Sequence, residues 1–118
     1  MKPYLIILAA CLLCVTSSCR KTNLPVDLPA CIKADIQNNE NNPNWSVGEV
    51  TEYRYQGKIV YAFEPDYRII ADGSTDIRSD DCKPLCSVGG FGGPSVNLCN
   101  GDPFYENAEL IRIVWTKP

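Results

Sequence analysis

Histidine is absent from this 118-residue chain. Without it, the chain has no serine–histidine or cysteine–histidine nucleophile pair and no imidazole ligand for a metal ion. The chain also lacks a basic stripe, and its formal net charge is −3, so nucleic acid is not an expected partner. No Gly-Lys pair closes a glycine cluster, and a phosphate-binding loop is therefore not predicted. We expect no cofactor.

The longest apolar run is too short for a mature transmembrane helix. It extends over 12 residues from Tyr4 to Val15, whereas a spanning helix needs about 20. Lys2 precedes this run, and the small residues Thr16 to Ser18 follow it. A charged start, a short apolar stretch and small residues predict a secretory signal peptide over residues 1–18.

Small residues directly before a cysteine resemble the lipobox of bacterial lipoproteins, which makes Cys19 the predicted lipidation residue. Acyl chains of the palmitate type on its thiol and amine would anchor the chain to a membrane, since several chains together bind stably. Cys11 and Cys14 would leave with the signal peptide. The alternative is plain secretion with a free Cys19. The predicted organisation is a lipidated tether over residues 19–27 and a single domain over residues 28–118.

Four cysteines remain in the predicted mature chain: Cys31, Cys82, Cys86 and Cys99. An even number of cysteines in a short exported chain predicts two disulfides. Three connectivities are open, and the sequence does not choose among them. Our working pairing is Cys31–Cys82 with Cys86–Cys99. A four-thiolate metal site is the alternative, but an oxidising compartment disfavours it.

Two segments carry the clearest strand pattern, residues 51–55 and 59–63, which are rich in aromatic and β-branched residues. Gln56-Gly57 between them predicts a two-residue hairpin turn. The expected register places Tyr55 opposite Lys58, Tyr53 opposite Val60 and Val50 opposite Phe63. One face then carries Val50, Ile59, Tyr61 and Phe63, and the other carries Tyr53, Tyr55, Val60 and Ala62. Half-buried packing explains these tyrosines better than a binding platform does.

The predicted fold class is α+β. An N-terminal helix capped by Asp27, with Ile32 and Ile36 on one face, would end in the asparagine-rich segment 38–43. It would pack on a small antiparallel sheet of about three strands, the third being residues 110–116 after a short helix near residues 103–108. A disulfide-bound, glycine-rich loop would complete the domain.

The glycine-rich loop is the candidate binding loop of the chain. It consists of Gly89, Gly90, Phe91, Gly92 and Gly93. Glycines between two cysteines indicate a tight surface loop that uses positive φ angles.

A calcium site is a second possibility, with Asp72, Ser74 and Asp76 as oxygen ligands at alternate positions. The segment lacks the glycine and the closing glutamate of an EF-hand loop, so the metal prediction is none apart from this candidate trio.

A resemblance covers almost the whole predicted mature chain. Its marks are the segment Tyr53 to Tyr61, the Cys82-x3-Cys86 spacing, the paired glycines, Cys99 followed by Asp102, and a final Trp115. The chain resembles a family of small lipoproteins of unknown function found mainly in Bacteroidota-type bacteria. The resemblance implies an exported lipoprotein and no established activity.

Three function classes follow from these patterns. The first is a non-catalytic binding or structural module of the cell envelope, with an envelope protein or a glycan as partner. The second is a small inhibitor that presents the Cys86–Cys99 loop to a hydrolase, since a pre-ordered loop costs less entropy to bind. The third is an enzyme that uses carboxylates such as Asp81 or Asp102, and it ranks last. The expected location is the cell envelope, lipid-anchored at the outer membrane. The periplasmic side is favoured over the cell surface, which stays the alternative, because no acidic run follows Cys19.

Overall fold

A computed structural model describes residues 23–90 and 96–118 of the chain. The predicted signal peptide, residues 1–18, and Cys19 lie outside the described residues. The elements in chain order are α1 (Ala30–Asn39), β1 (Val47–Tyr55), β2 (Lys58–Pro65), β3 (Thr75–Ser79), β4 (Pro84–Val88), β5 (Leu98–Cys99), β6 (Asp102–Pro103), α2 (Phe104–Asn107) and β7 (Glu109–Thr116).

The main sheet has five antiparallel strands in the order β4-β3-β2-β1-β7. The predicted β1–β2 register is confirmed, because Tyr55 pairs with Lys58, Tyr53 with Val60, and Val50 with Phe63. Gln56 and Gly57 both have positive φ angles, 53° and 75°. This is the pattern of a type I′ turn, whose twist matches that of the strands it joins.

Each face of the sheet carries its own apolar cluster. On one face, Ile32 and Ile36 of α1 share a cluster with Val50, Tyr61 and Phe63. The other cluster contains Tyr55, Val60, Ala62, Ile77, Val88, Cys99 and Phe104. Because alternate residues of a strand point to opposite faces, the β1–β2 hairpin contributes to both clusters.

The predicted α+β class is wrong. The described chain is mostly β: the sheet has five strands rather than three, a second sheet pairs β5 with β6, and α1 has only ten residues. Strands β3 and β4 were missed because they are short and polar, and β3 buries only Thr75 and Ile77. Pairing with β2, rather than a strong local pattern, holds β3 in the sheet.

The start of α1 also differs from the prediction. The helix begins at Ala30, Pro29 occupies the N-cap position, and no side chain caps it. Asp27 is used elsewhere, since its carboxylate accepts a hydrogen bond from Arg112 at 3.0 Å. The predicted end is confirmed, because α1 stops at Asn39 inside the asparagine-rich segment.

Two disulfides are present, as predicted. Cys31–Cys82 joins α1 to the turn between β3 and β4, and Cys86–Cys99 joins β4 to β5. These are the two pairs of the working connectivity. The second bridge holds the small β5–β6 sheet against the edge of the main sheet. Phe104, the residue that follows β6, is fully buried. Neither helix of the described residues has the length and apolarity to cross a membrane.

Candidate functional site

A cleft of about 320 Å³ lies between two type I′ hairpin turns of the described chain. One turn is Gln56-Gly57. The other is Asn100-Gly101, with φ angles of 51° and 91°, which joins β5 to β6. We call this the turn cleft; its lining residues are Tyr55, Gln56, Lys58, Val60, Leu85, Cys99, Asn100 and Asp102. Its volume lies in the range of small-molecule sites.

A hydrogen-bond network fixes the wall of the turn cleft. The Tyr55 hydroxyl donates to Asp102 Oδ2 at 2.5 Å, and Asn107 Nδ2 donates to both oxygens of Asp102 at 3.0 and 3.1 Å. The Asn100 amide donates to the Leu85 carbonyl at 3.1 Å. Strand β1 and strand β4 are thereby both tied to the Asn100-Gly101 hairpin, in addition to the disulfide.

The pKa values of Asp102 and Tyr55 are shifted in opposite directions. Hydrogen bonds from Tyr55 and then Asn107 lower the pKa of Asp102 below its usual value. Burial, followed by the hydrogen bond to Asp102, raises the pKa of Tyr55 to about 12. Asp102 is therefore an ionised acceptor and Tyr55 a protonated donor near pH 7. Neither group is matched to proton transfer at that pH, since an efficient general acid or base has a pKa near the operating pH.

The predicted binding loop is described only at its base. Gly89 and Gly90 have φ angles of 88° and 93°, as expected for glycine in the left-handed region. The Gly89 amide donates to the Val96 carbonyl at 2.7 Å, which closes the loop beyond strand β4. Phe91, Gly92 and Gly93 lie outside the described residues.

The predicted calcium ligands do not form a metal site in the described chain. Asp76 lies in β3, and one of its oxygens is 4.0 Å from Arg78 Nη2, whereas Asp72 and Ser74 precede the strand and are exposed. Within residues 23–90 and 96–118, no group of three or more acidic or cysteine side chains is arranged to hold a metal ion. Asp81, the other carboxylate of the predicted enzyme alternative, is exposed and accepts a hydrogen bond from the Ser79 hydroxyl.

A second surface, which we did not predict, lies on the sheet face that α1 leaves free. Glu49 and Glu64 are paired across β1 and β2. Tyr53, on the same face, is near Tyr105 of α2, with ring centroids 6.4 Å apart. We call these four residues, together with Leu110 and Ile113 of β7, the tyrosine–glutamate surface. The Glu49–Glu64 pair follows from the predicted hairpin register, but the position of Tyr105 beside Tyr53 does not.

Two buried carboxylates, Asp66 and Glu52, form ion pairs that have structural roles. Asp66 is 4 % exposed and binds Arg68 Nε at 2.9 Å and Lys117 Nζ at 3.0 Å. The Lys117 ammonium also donates to the carbonyls of Pro43 and Trp45, at 2.9 and 2.8 Å, so three acceptors occupy its three donors. The cluster fastens the end of β7 to β2 and to the loop before β1.

The other ionic cluster lies on the helix-covered face. Glu52 accepts hydrogen bonds from the Tyr61 hydroxyl at 2.9 Å and from Arg112 Nη2 at 3.1 Å. Tyr61 and Tyr55 are buried, at 2 % and 5 % exposure, on opposite faces of the sheet. The three tyrosines of the hairpin therefore do not form one platform.

The fold and these sites define a small, disulfide-bonded, mostly β protein with open clefts and without a described metal centre. A family model for a domain of unknown function, DUF6970, matches residues 36–117. The chain belongs to this family. No curated protein and no solved structure matches it.

Proposed function

We propose that this protein is a lipid-anchored, non-catalytic binding module of the bacterial cell envelope, and that the turn cleft binds a hydroxyl-rich ligand such as a glycan. The observation that carries the proposal is the construction of the cleft. Two tight turns, one disulfide and the Tyr55–Asp102 hydrogen bond hold its walls before any ligand arrives. Such pre-ordering lowers the entropy cost of binding.

The chemistry of the lining favours hydroxyl groups, which both donate and accept hydrogen bonds. Asp102 supplies an ionised acceptor. The Asn100 side chain donates to Leu85 through Nδ2, and its Oδ1 accepts no hydrogen bond from a described residue. Gln56 and Lys58 are exposed at the other wall and supply donors. Val60 at the floor is apolar, so the cleft combines a few fixed polar groups with an apolar surface, as ligand sites commonly do.

A binding role fits the protonation states better than catalysis does. A carboxylate held ionised and a tyrosine held protonated supply fixed hydrogen bonds but do not exchange protons readily near pH 7. The anchor and the envelope location depend on Cys19 and the predicted signal peptide. The hydrolase-inhibitor alternative stays a prediction.

The test is binding of the detergent-solubilised full chain to an array of bacterial and host glycans, followed by titration of the best ligand. We expect Lys58→Ala and Gln56→Ala to weaken binding at least tenfold. Lys33→Ala on α1 is the matched control and should leave binding unchanged. The absence of any glycan ligand, or equal affinity of all three variants and the parent protein, would refute the proposed site.

A further inference from the structure

The tyrosine–glutamate surface contains a pair of acidic side chains, Glu49 and Glu64, that no described basic side chain balances. Glu49 and Glu64 are cross-strand partners and both are half-buried, an arrangement that is destabilising for two carboxylates. Within the described residues, neither carboxylate has a lysine or arginine nitrogen within 4.0 Å. The basic side chains that do pair with acids serve other carboxylates: Arg68, Arg78, Lys83, Arg112 and Lys117.

The environment of this pair disfavours its negative charge. Burial, followed by the charge of Glu49, raises the pKa of Glu64 above its usual value. Burial, followed by the charge of Glu64, raises the pKa of Tyr53 to about 12. A cation placed beside the two glutamates would therefore be attracted by both carboxylates and would relieve their mutual repulsion.

Aromatic and apolar side chains lie further along the same face of the sheet. The Tyr53 and Tyr105 rings meet edge to face at 69°, and Tyr105 is 45 % exposed. Leu110 and Ile113 are 58 % and 56 % exposed, and they share this face because they pair with Tyr53 and Thr51 of β1. Tyrosine rings attract ammonium and guanidinium groups, and clustered exposed apolar side chains mark interaction surfaces.

This combination selects an organic cation over a metal ion. Calcium takes six to eight oxygen ligands, whereas the described surface offers only two carboxylates. Strand addition at the β7 edge is also disfavoured, because the β1–β7 register shifts twice and such bulges block the pairing of an edge strand. Recognition would therefore occur through side chains.

We propose that the tyrosine–glutamate surface docks a protein segment that presents a lysine or arginine beside an apolar side chain. The cationic group lies between Glu49 and Glu64 against the Tyr53 and Tyr105 rings. The neighbouring apolar side chain packs on Ile113 and Leu110. The surface is separate from the turn cleft, and the proposal does not depend on the ligand of that cleft.

The test uses the full chain with isotope-labelled tyrosine and three synthetic peptides with blocked ends: Leu-Lys-Leu-Lys-Leu, Leu-Glu-Leu-Glu-Leu and Ser-Lys-Ser-Lys-Ser. We expect the lysine–leucine peptide to shift the Tyr53 and Tyr105 ring resonances saturably. The lysine–serine peptide should bind at least tenfold more weakly, and the glutamate peptide should not bind.

Matched variants assign the effect to the charged pair. The double variant E49Q/E64Q keeps the shapes of both side chains and should weaken the lysine–leucine peptide at least tenfold. Glu109→Gln, an exposed glutamate whose β1 partner is Arg54, is the control and should bind like the parent. No saturable shift, equal binding of the glutamate peptide, or unchanged binding by the double variant would each overturn the proposal. Lys58→Ala should leave this binding intact, which separates the result from that of the turn cleft.

Discussion

Removal of each disulfide gives a quantitative test of how the domain is stabilised. The sequence separation is 13 for Cys86–Cys99 and 51 for Cys31–Cys82. In the chain-entropy account, these separations correspond to roughly 3 and roughly 4 kcal/mol of stability, respectively. Since small domains are stable by only about 5–15 kcal/mol, the variants Cys86→Ala/Cys99→Ala and Cys31→Ala/Cys82→Ala should both unfold at much lower urea concentrations.

The urea dependence separates the entropy mechanism from simple loss of packing. A crosslink keeps the unfolded chain compact, so its removal should increase the m-value along with the loss of stability. Packing alone would lower the midpoint at constant m. Cys99 is 4 % exposed, and the single variant Cys86→Ala, which leaves the Cys99 sulfur in place, controls for its contribution to packing. A larger loss for the shorter loop, or losses without any rise in m, would refute the reasoning.

Three further predictions concern packing and charge. Phe104→Ala should lower the free energy of unfolding by about 3–5 kcal/mol. The ring is fully buried between Tyr53 and Tyr55, at centroid distances of 5.3 and 4.9 Å. A urea titration that finds a loss below about 1 kcal/mol would contradict this. Glu64→Gln should be more stable than the parent at pH 7. The pKa of Glu64 is raised in the folded state, so its ionisation destabilises the folded chain, and a neutral glutamine removes that cost. The gain should vanish below about pH 4, where Glu64 is protonated in both states, and a gain that persists at pH 3 would argue against it. Asp66→Asn should be less stable than the parent at pH 7, because hydrogen bonds from Arg68 and then Lys117 lower the pKa of Asp66 in the folded state. Thermal unfolding at several pH values should show the loss of stability shrinking as the pH falls below about 4. A loss of stability that does not depend on pH would count against the ion-pair role of Asp66.

Two parts of the fold, the β1–β2 hairpin and strand β7, could be predicted from strong local patterns in the sequence. The β1–β2 hairpin has a glycine-containing turn and alternating apolar residues, and its register was predicted correctly. Strand β7 was also expected, within one residue of its observed start at Glu109. These elements depend on interactions close in sequence or on long apolar alternation, which a single sequence displays directly.

The missed strands lack such patterns. In β3, the buried residues Thr75 and Ile77 alternate with Asp76 and Arg78. A segment of only five residues that is surrounded by aspartates is also typical of a loop. The calcium hypothesis placed Asp76 in such a loop. Strand β4 begins with a proline and has only Val88 buried. Strand β3 is held by its pairing with β2. Strand β4 pairs with β3 and is bonded to β5 through Cys86–Cys99. The Asn100-Gly101 turn is different, because its sequence is a strong hairpin signal that the prediction overlooked.

The turn cleft could not be predicted because its two walls are distant in sequence. Gln56 and Asn100 line the same cleft because Phe104 packs in the cluster of the β1–β2 hairpin and Cys99 is bonded to Cys86. By contrast, the Glu49–Glu64 pair was available in advance, since it is one step beyond the predicted Val50–Phe63 pair. The hairpin register does not predict where Tyr105 lies, because its position depends on how α2 packs on the same face.

The segment from Cys99 to Tyr105 connects both proposed binding surfaces to the second apolar cluster. Phe104 packs against Tyr53 on one side and Tyr55 on the other; Tyr53 belongs to the tyrosine–glutamate surface and Tyr55 to the wall of the turn cleft. Local opening of this segment would therefore disrupt both surfaces at once, whereas local opening around α1 would disrupt neither directly. If this reasoning is correct, Phe104→Leu, which retains part of the packing, should weaken glycan binding and lysine-peptide binding together. Weakening of only one of them would show that the two surfaces are held independently.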